Sequence, residues 1–396
     1  MDAALARQAW LAVVFNPEPA MQTFMCLTGF LSAISLVPAL EKTPNHIRSV
    51  LRYYKKRLLR IAPAYFMMLM VIRMLGAVLG ESESLPPHVR RTFFEPLRTF
   101  DKAACKDTIA HNIFFVHNQQ PGGGCYTTTW SLAVQMQFWC MFPLALLLLR
   151  PQMPGFRARV AWSLLATIGA VLAYRAWQVN KVQLWTKMPL RLYSPDLPTA
   201  LTIRFLGHHS YFSTLARLAP LCFGCLAALC VMHPSCKQKM ARHSSWLHVL
   251  WACLALSNFA GCFVNKVGPH SDPTHLLANP INCAFAYVVI TGVLSPLLPA
   301  LTLLLITSKG VGTPSAVTRL FSAPVFKWLA DITYNIYLIH PLVMFCMWLV
   351  LPPSVWFAPD QPLTFALVSC LALALSIIAT WAHNSVWSLV MRFLAP

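Results

Sequence analysis

The feature that most limits what this chain can become is a series of apolar blocks, each about as long as a bilayer is thick. A membrane-spanning helix needs roughly 20 mainly apolar residues. Nine stretches have that length and character: 21–40, 61–80, 129–149, 158–177, 212–232, 246–264, 281–306, 326–351 and 363–391. The expected fold is therefore all-α, a polytopic transmembrane helical bundle of about nine spans. Pro143, Pro220, Pro296, Pro299 and Pro341 fall inside these blocks. A bundle tolerates them because neighbouring groups satisfy the carbonyls that a proline frees. Composition closes the alternatives. The chain is 57% hydrophobic and 11% charged, against about 25% charged in an ordinary soluble domain. Too little polar surface is available for a soluble globular protein, a disordered chain or a secreted disulfide scaffold.

The charge is lopsided, with 31 Lys and Arg against 12 Asp and Glu, a formal net charge of +19. On a soluble chain that balance points to nucleic acid. Here the basic residues sit on alternate connections between apolar blocks, which points to the lipid bilayer as partner and not to nucleic acid. The connection before the second block carries Lys42, Arg48, Arg52, Lys55, Lys56, Arg57 and Arg60, with Glu41 as its one acid. Connections on the same side add Arg150, Arg157 and Arg159, then Lys237, Lys239 and Arg242, then Lys309, Arg319 and Lys327, and finally Arg392. The positive-inside rule places this side in the cytoplasm. The 41–60 loop and the C-terminus are then cytoplasmic, and the 81–128 loop is lumenal or extracellular. An odd number of spans puts the N-terminus outside as well. Trp10–Phe15 is an apolar run too short for the core of a secretory leader.

Most of the 13 cysteines lie within the apolar blocks, where a small polarizable side chain packs well. Cys222 and Cys225 form a C-x-x-C without a second pair at zinc-site spacing, so no metal is expected. Gly224 and Ala228 instead give that block a small-residue face suited to close helix packing. Cys105 and Cys125 differ, because both lie in the large external loop, where an oxidising compartment allows them to pair. The triple glycine Gly122–Gly124 reads as a turn, and His270 and His275 lie in a polar loop without further ligands.

Three segments carry polar groups suited to chemistry. Arg57-Leu-Leu-Arg60-Ile-Ala-Pro63-Ala-Tyr65 opens the second span, and residues three apart share a helix face. Two guanidiniums on one face offer forked donors to phosphate oxygens; anchoring at the cytoplasmic surface explains the same run without a ligand. Trp130-Ser131-Leu-Ala-Val-Gln135-Met-Gln137 opens the third span, with Ser131 and Gln135 four apart on one face. Asp331-Ile-Thr333-Tyr334-Asn335-Ile-Tyr337-Leu-Ile-His340-Pro341 lies within a late span, where an ionisable residue is a functional candidate by default. Interhelical hydrogen bonding is the plainer reading of both.

In this order the segments resemble the acyltransferase 3 family of polytopic membrane acyltransferases. Thr28-Gly29-Phe30 is similar to its SGF-type motif, Arg57 to Tyr65 to its R-x-x-R-I-x-P-x-Y, and Trp130 to Trp139 to its W-S-L-x-x-E-x-Q-F-Y. Arg217 to Ala227 is similar to its R-x-x-x-F-x-x-G span, and Thr333 to Pro341 to its S-Y-x-x-Y-L-x-H-P. The resemblance runs from about Met21 to the last spans and implies one membrane-embedded acyltransferase-3-like domain over 1–396. It implies transfer of an acyl group, usually acetyl, from acyl-CoA (acetyl-CoA) as co-substrate to a hydroxyl of a carbohydrate or lipid acceptor. Arg57, Arg60, Tyr65, Trp130 and Arg217 would then serve the donor. His340, Tyr337, Tyr334, Gln135 and Ser131 would form the reacting core.

Two departures stand out. The motif's glutamate is Gln135, which keeps the hydrogen-bonding shape but cannot act as a base. The family's first span, with a basic residue and a His about ten residues on, has no match before Met21, and the expectation is that this chain lacks it. Hydroxyl acylation needs a base, so two other readings stay open at this point. One is a catalytically inactive relative that binds lipid or acyl-CoA or acts as a scaffold; the other is a small-solute transporter.

Overall fold

The computed structural model describes residues 18–79, 102–119, 125–181, 213–266, 286–307, 319, 322–351 and 362–394. The described elements are all helical. In chain order they are α1 (Glu18–Lys42), α2 (His46–Leu79), α3 (Lys102–Ile113), α4 (Trp130–Leu148), α5 (Phe156–Lys181) and α6 (Thr214–Met232). There follow α7 (Pro234–Arg242), α8 (Ser244–Lys266), α9 (Ser295–Thr307), α10 (Pro324–Val350) and α11 (Pro362–Leu394). Short 3₁₀ turns lie at His117–Gln119 and Thr127–Thr129, and a π-helical stretch, Ala286–Leu294, leads into α9. Eight helices among the described residues are long and apolar enough to cross a membrane. The remaining apolar stretch of the sequence, 246–264, forms α8. Leu148, Trp162, Val350 and Trp381 are among the large apolar side chains left exposed, as a surface facing acyl chains requires.

One boundary differs from the sequence reading. The basic connection before the second span is itself helical from His46, so α2 runs for 34 residues. Lys, Arg and Leu all have high helix propensity, and the charged turns simply continue the apolar ones.

The chain divides into two units, residues 1–56 with 134–321 and residues 57–133 with 322–396. In the first, α1 packs along α6 at a distance that only glycine allows. A Cβ on Gly29 would stand 1.9 Å from the Leu221 carbonyl oxygen, and one on Gly224 would stand 1.9 Å from that of Cys26. The Cys225 thiol donates to the Gly29 carbonyl across the same seam at 3.3 Å. The small-residue face expected around Gly224 is thus where the two backbones meet.

Prolines shape this unit too. Pro220 withholds an N–H from the Ala216 carbonyl, and the buried Arg175 guanidinium donates to that oxygen at 3.2 Å. Its other terminal nitrogen donates to Thr291 Oγ1 at 2.8 Å, while Gln22 donates to the Thr291 carbonyl at 3.2 Å. Pro296 and Pro299 likewise withhold helical N–H groups from Gly292 and Ser295, at the junction where the π-helical turns end. Leu254, Leu301 and Leu305 form an apolar cluster between α8 and α9. At the cytoplasmic end expected from sequence, Arg157 forks onto Glu41 at 2.8 and 2.7 Å.

The second unit joins most of α2, α3, the two 3₁₀ turns, the start of α4, α10 and α11. Helices α10 and α11 pack together, and Asn335 donates to Asn384 Oδ1 at 2.6 Å. Cys105 of α3 and Cys125 are joined by a disulfide, so the pairing that the sequence allowed is made.

Candidate active site

The second unit gathers side chains from four separated sequence segments around the Thr127–Thr129 turn. Tyr337 on α10 donates to the Thr128 carbonyl at 2.5 Å, and its phenol oxygen lies 2.8 Å from Ser131 Oγ. A phenol has one proton, and here it goes to the carbonyl, so Ser131 is the donor in that pair. Tyr334, one turn earlier on α10, donates to the Ile61 carbonyl of α2 at 2.8 Å. Tyr126 is fully buried and donates to the Leu338 carbonyl. Tyr65 donates to the Asn112 carbonyl at 3.1 Å and stacks with Tyr126 at a centroid distance of 6.4 Å. Asn112 in turn accepts the Cys125 N–H at 2.9 Å. The disulfide, Asn112 and Tyr65 therefore tie the α3 segment and Cys125 to α2.

His117 completes this cap. Thr129 spends its hydroxyl proton on the Tyr126 carbonyl at 2.7 Å, so the His117 Nε2–H donates to Thr129 Oγ1 across 3.2 Å. Burial holds the imidazole down at about 4, and it stays neutral. Burial also raises the Tyr126 phenol well above its ordinary value, which keeps it a neutral donor.

Of the residues singled out from sequence, Arg57, Arg60, Tyr65, Trp130, Ser131, Tyr334, Tyr337 and His340 all belong to this unit. Arg60 is exposed and acts electrostatically on the Tyr334 phenol. Gln135 and Arg217 belong to the other unit. Gln135 donates through its amide nitrogen to Thr28 Oγ1, and Thr28 passes its own proton to the Phe24 carbonyl at 2.9 Å. With the Thr28 proton spent on Phe24, the Gln135 amide N–H supplies the proton of this bond; a carboxylate there would have to take the Thr28 proton instead. Beside it Ser32 accepts from Tyr53 at 3.0 Å and from Trp139 at 3.1 Å. Arg217 is fully buried in α6.

Sequence inspection missed Tyr126, Asn112, His117 and the Thr128 carbonyl. Only one signal pointed there, the place of Cys125 beside Tyr126 and five residues before Trp130. The triple glycine, His270, His275 and the segment preceding Glu18 lie outside the described residues.

Eight described helices long and apolar enough to cross a membrane define the class as a polytopic helical membrane protein, and fold alone does not say what it does. Residues 6–381 match the family described as Acyltransferase domain. The chain belongs to this acyltransferase 3 family and is a multi-pass membrane acyltransferase that transfers groups other than aminoacyl groups. No curated protein and no solved structure matches the chain.

Proposed function

We propose that the protein moves an acetyl group from acetyl-CoA to a hydroxyl of a carbohydrate or lipid acceptor, with the donor approaching from the cytoplasm and the 81–128 segment facing the lumen or exterior. The observation that carries the reading is the bonding between the three motif segments. Tyr334 holds the Arg57–Tyr65 segment through Ile61, and Tyr337 holds the Trp130–Ser131 segment through Thr128 and Ser131. Residues far apart in sequence form one set of groups in one unit, as a reaction centre requires.

Arg57 and Arg60 serve the donor in this reading. They lie on one face of α2, Arg60 is exposed, and guanidinium forks suit the phosphates of a nucleotide thioester. Tyr65, packed against Phe66, Phe115 and Tyr126, and Trp130 serve the donor with them. The test is acetyl-CoA-dependent incorporation into membranes bearing Arg60→Ala. Charge-assisted hydrogen bonds contribute about 1.5–3 kcal/mol, so KM for acetyl-CoA should rise roughly 10- to 100-fold while membrane insertion is unchanged. An unchanged KM would remove Arg60 from the donor site.

A further inference from the structure

A proline inside a helix frees the carbonyl four residues before it. For Pro341 that carbonyl is Tyr337's, and it is not left bare. His340 Nδ1 lies 2.7 Å from the Tyr337 oxygen, with the Ile336 carbonyl alongside. Both carbonyls can only accept, so Nδ1 carries the proton. In a neutral imidazole the second nitrogen then offers a bare lone pair. Nothing among the described residues hydrogen-bonds Nε2, and the His340 side chain is only half-buried.

The neighbouring groups cannot take that place. The Tyr337 ring lies 5.8 Å from the His340 ring, but its phenol proton is committed to Thr128 and that of Ser131 to Tyr337. In the same unit His117 is fully buried and spends its Nε2–H on Thr129. Both ring nitrogens of His383 are closed off from solvent without a partner. A general base must reach the proton it removes, and His340 is a described histidine of this unit whose Nδ1–H is fixed on a backbone carbonyl, which leaves Nε2 unprotonated and without a partner.

We propose that His340 Nε2 is the general base of acyl transfer, and that Pro341 is a positioning residue that fixes its tautomer by freeing the Tyr337 carbonyl. The assignment rests on the acetyl-CoA reading above. As the acceptor oxygen attacks the thioester carbonyl, its proton passes to Nε2 and a C–O bond forms. The C–S bond then breaks with its electron pair going to sulfur, and the imidazolium returns the proton to that sulfur. The products are the ester and the free thiol of coenzyme A.

The experiment uses the full chain in membrane vesicles supplied with acetyl-CoA labelled in the acetyl group, with label counted in hydroxylamine-labile esters. In His340→Asn the amide N–H can still cap the Tyr337 carbonyl, but no base remains. Ester formation should fall at least about 100-fold with KM for acetyl-CoA unchanged. Retention of more than a tenth of the wild-type rate would reduce His340 to a cap and overturn the assignment. Nitrogen NMR of ¹⁵N-histidine-labelled protein supplies a second reading without any donor. The wild type should show His340 protonated at Nδ1. Pro341→Ala restores the helical N–H to Tyr337, so it should populate the Nε2–H tautomer and slow ester formation about 5- to 10-fold. Wild-type His340 protonated at Nε2 would overturn the proposal even with ester formation intact. No ester from wild type despite the expected tautomer would instead refute the acetyl-CoA reading, and the base assignment would fall with it.

Discussion

Replacing Gly29 by alanine asks the α1–α6 seam for room it does not have. The added carbon would lie 1.9 Å from the Leu221 carbonyl oxygen and 2.8 Å from its carbon. Ordinary carbon–oxygen contact needs about 3.3 Å, so the helices must separate by more than about 1 Å. The obstructing atoms are backbone, and no side chain can swing aside to relieve the clash. Overpacking a core costs typically 1–3 kcal/mol, and a rigid backbone obstacle places Gly29→Ala at about 3 kcal/mol. Separation also stretches the thiol bond from Cys225 to Gly29. Gly224→Ala meets the Cys26 carbonyl at the same 1.9 Å and should cost a similar amount. The two share one seam, so the double variant should cost less than the sum, because helices already pushed apart make room for the second methyl. Gly169 has nothing within 4 Å of its would-be Cβ, so Gly169→Ala is the control and should hold or slightly raise stability. Thermal unfolding followed by size-exclusion in detergent reads all four. The reasoning is refuted if Gly29→Ala melts within about 2 °C of wild type, or if the double variant costs the full sum.

Two further outcomes concern the cap. His117 titrates at about 4 when folded, below the roughly 6.5 expected when unfolded. The unfolded chain therefore binds the proton first, and stability should fall by roughly 3 kcal/mol as pH drops from about 6.5 to about 4. It should then level off, and His117→Gln should remove that part of the pH dependence; an identical profile in the variant would sink the idea. Breaking the Cys105–Cys125 bond reopens a loop with a sequence separation of 20 and should cost about 3 kcal/mol. Cys105→Ser should lower the melting temperature, and exposure of Cys125 to alkylating reagent without any change in melting would contradict the cap's role.

The span pattern was legible because one physical requirement dominates it. A backbone in hydrocarbon must bond to itself, and only long apolar helices do that without partners. Each of the nine apolar stretches accordingly lies where a helix is found, while the start of α2 was misjudged because charge marks the membrane boundary and not the end of a helix. The motif residues were legible as types at spacings, but their proton assignments were not. Whether Tyr337 donates or accepts depends on the Thr128 carbonyl, and whether His340 offers a base depends on a carbonyl freed by Pro341. Tyr126, Asn112 and His117 were silent, since a single polar residue in a loop has no periodicity to betray it.

The sequence by itself therefore determined that this chain crosses a membrane as helices, where those helices lie and which family's motifs they carry. Tertiary structure alone decided that Gly29 and Gly224 face each other's backbones and that Gln135 is tied to Thr28. It also decided that Tyr65, Tyr126, Tyr334 and Tyr337 each donate to a backbone carbonyl within one unit. Apolar length and periodicity are properties of a segment read alone, whereas a hydrogen bond's direction is fixed by a partner that folding brings from elsewhere in the chain.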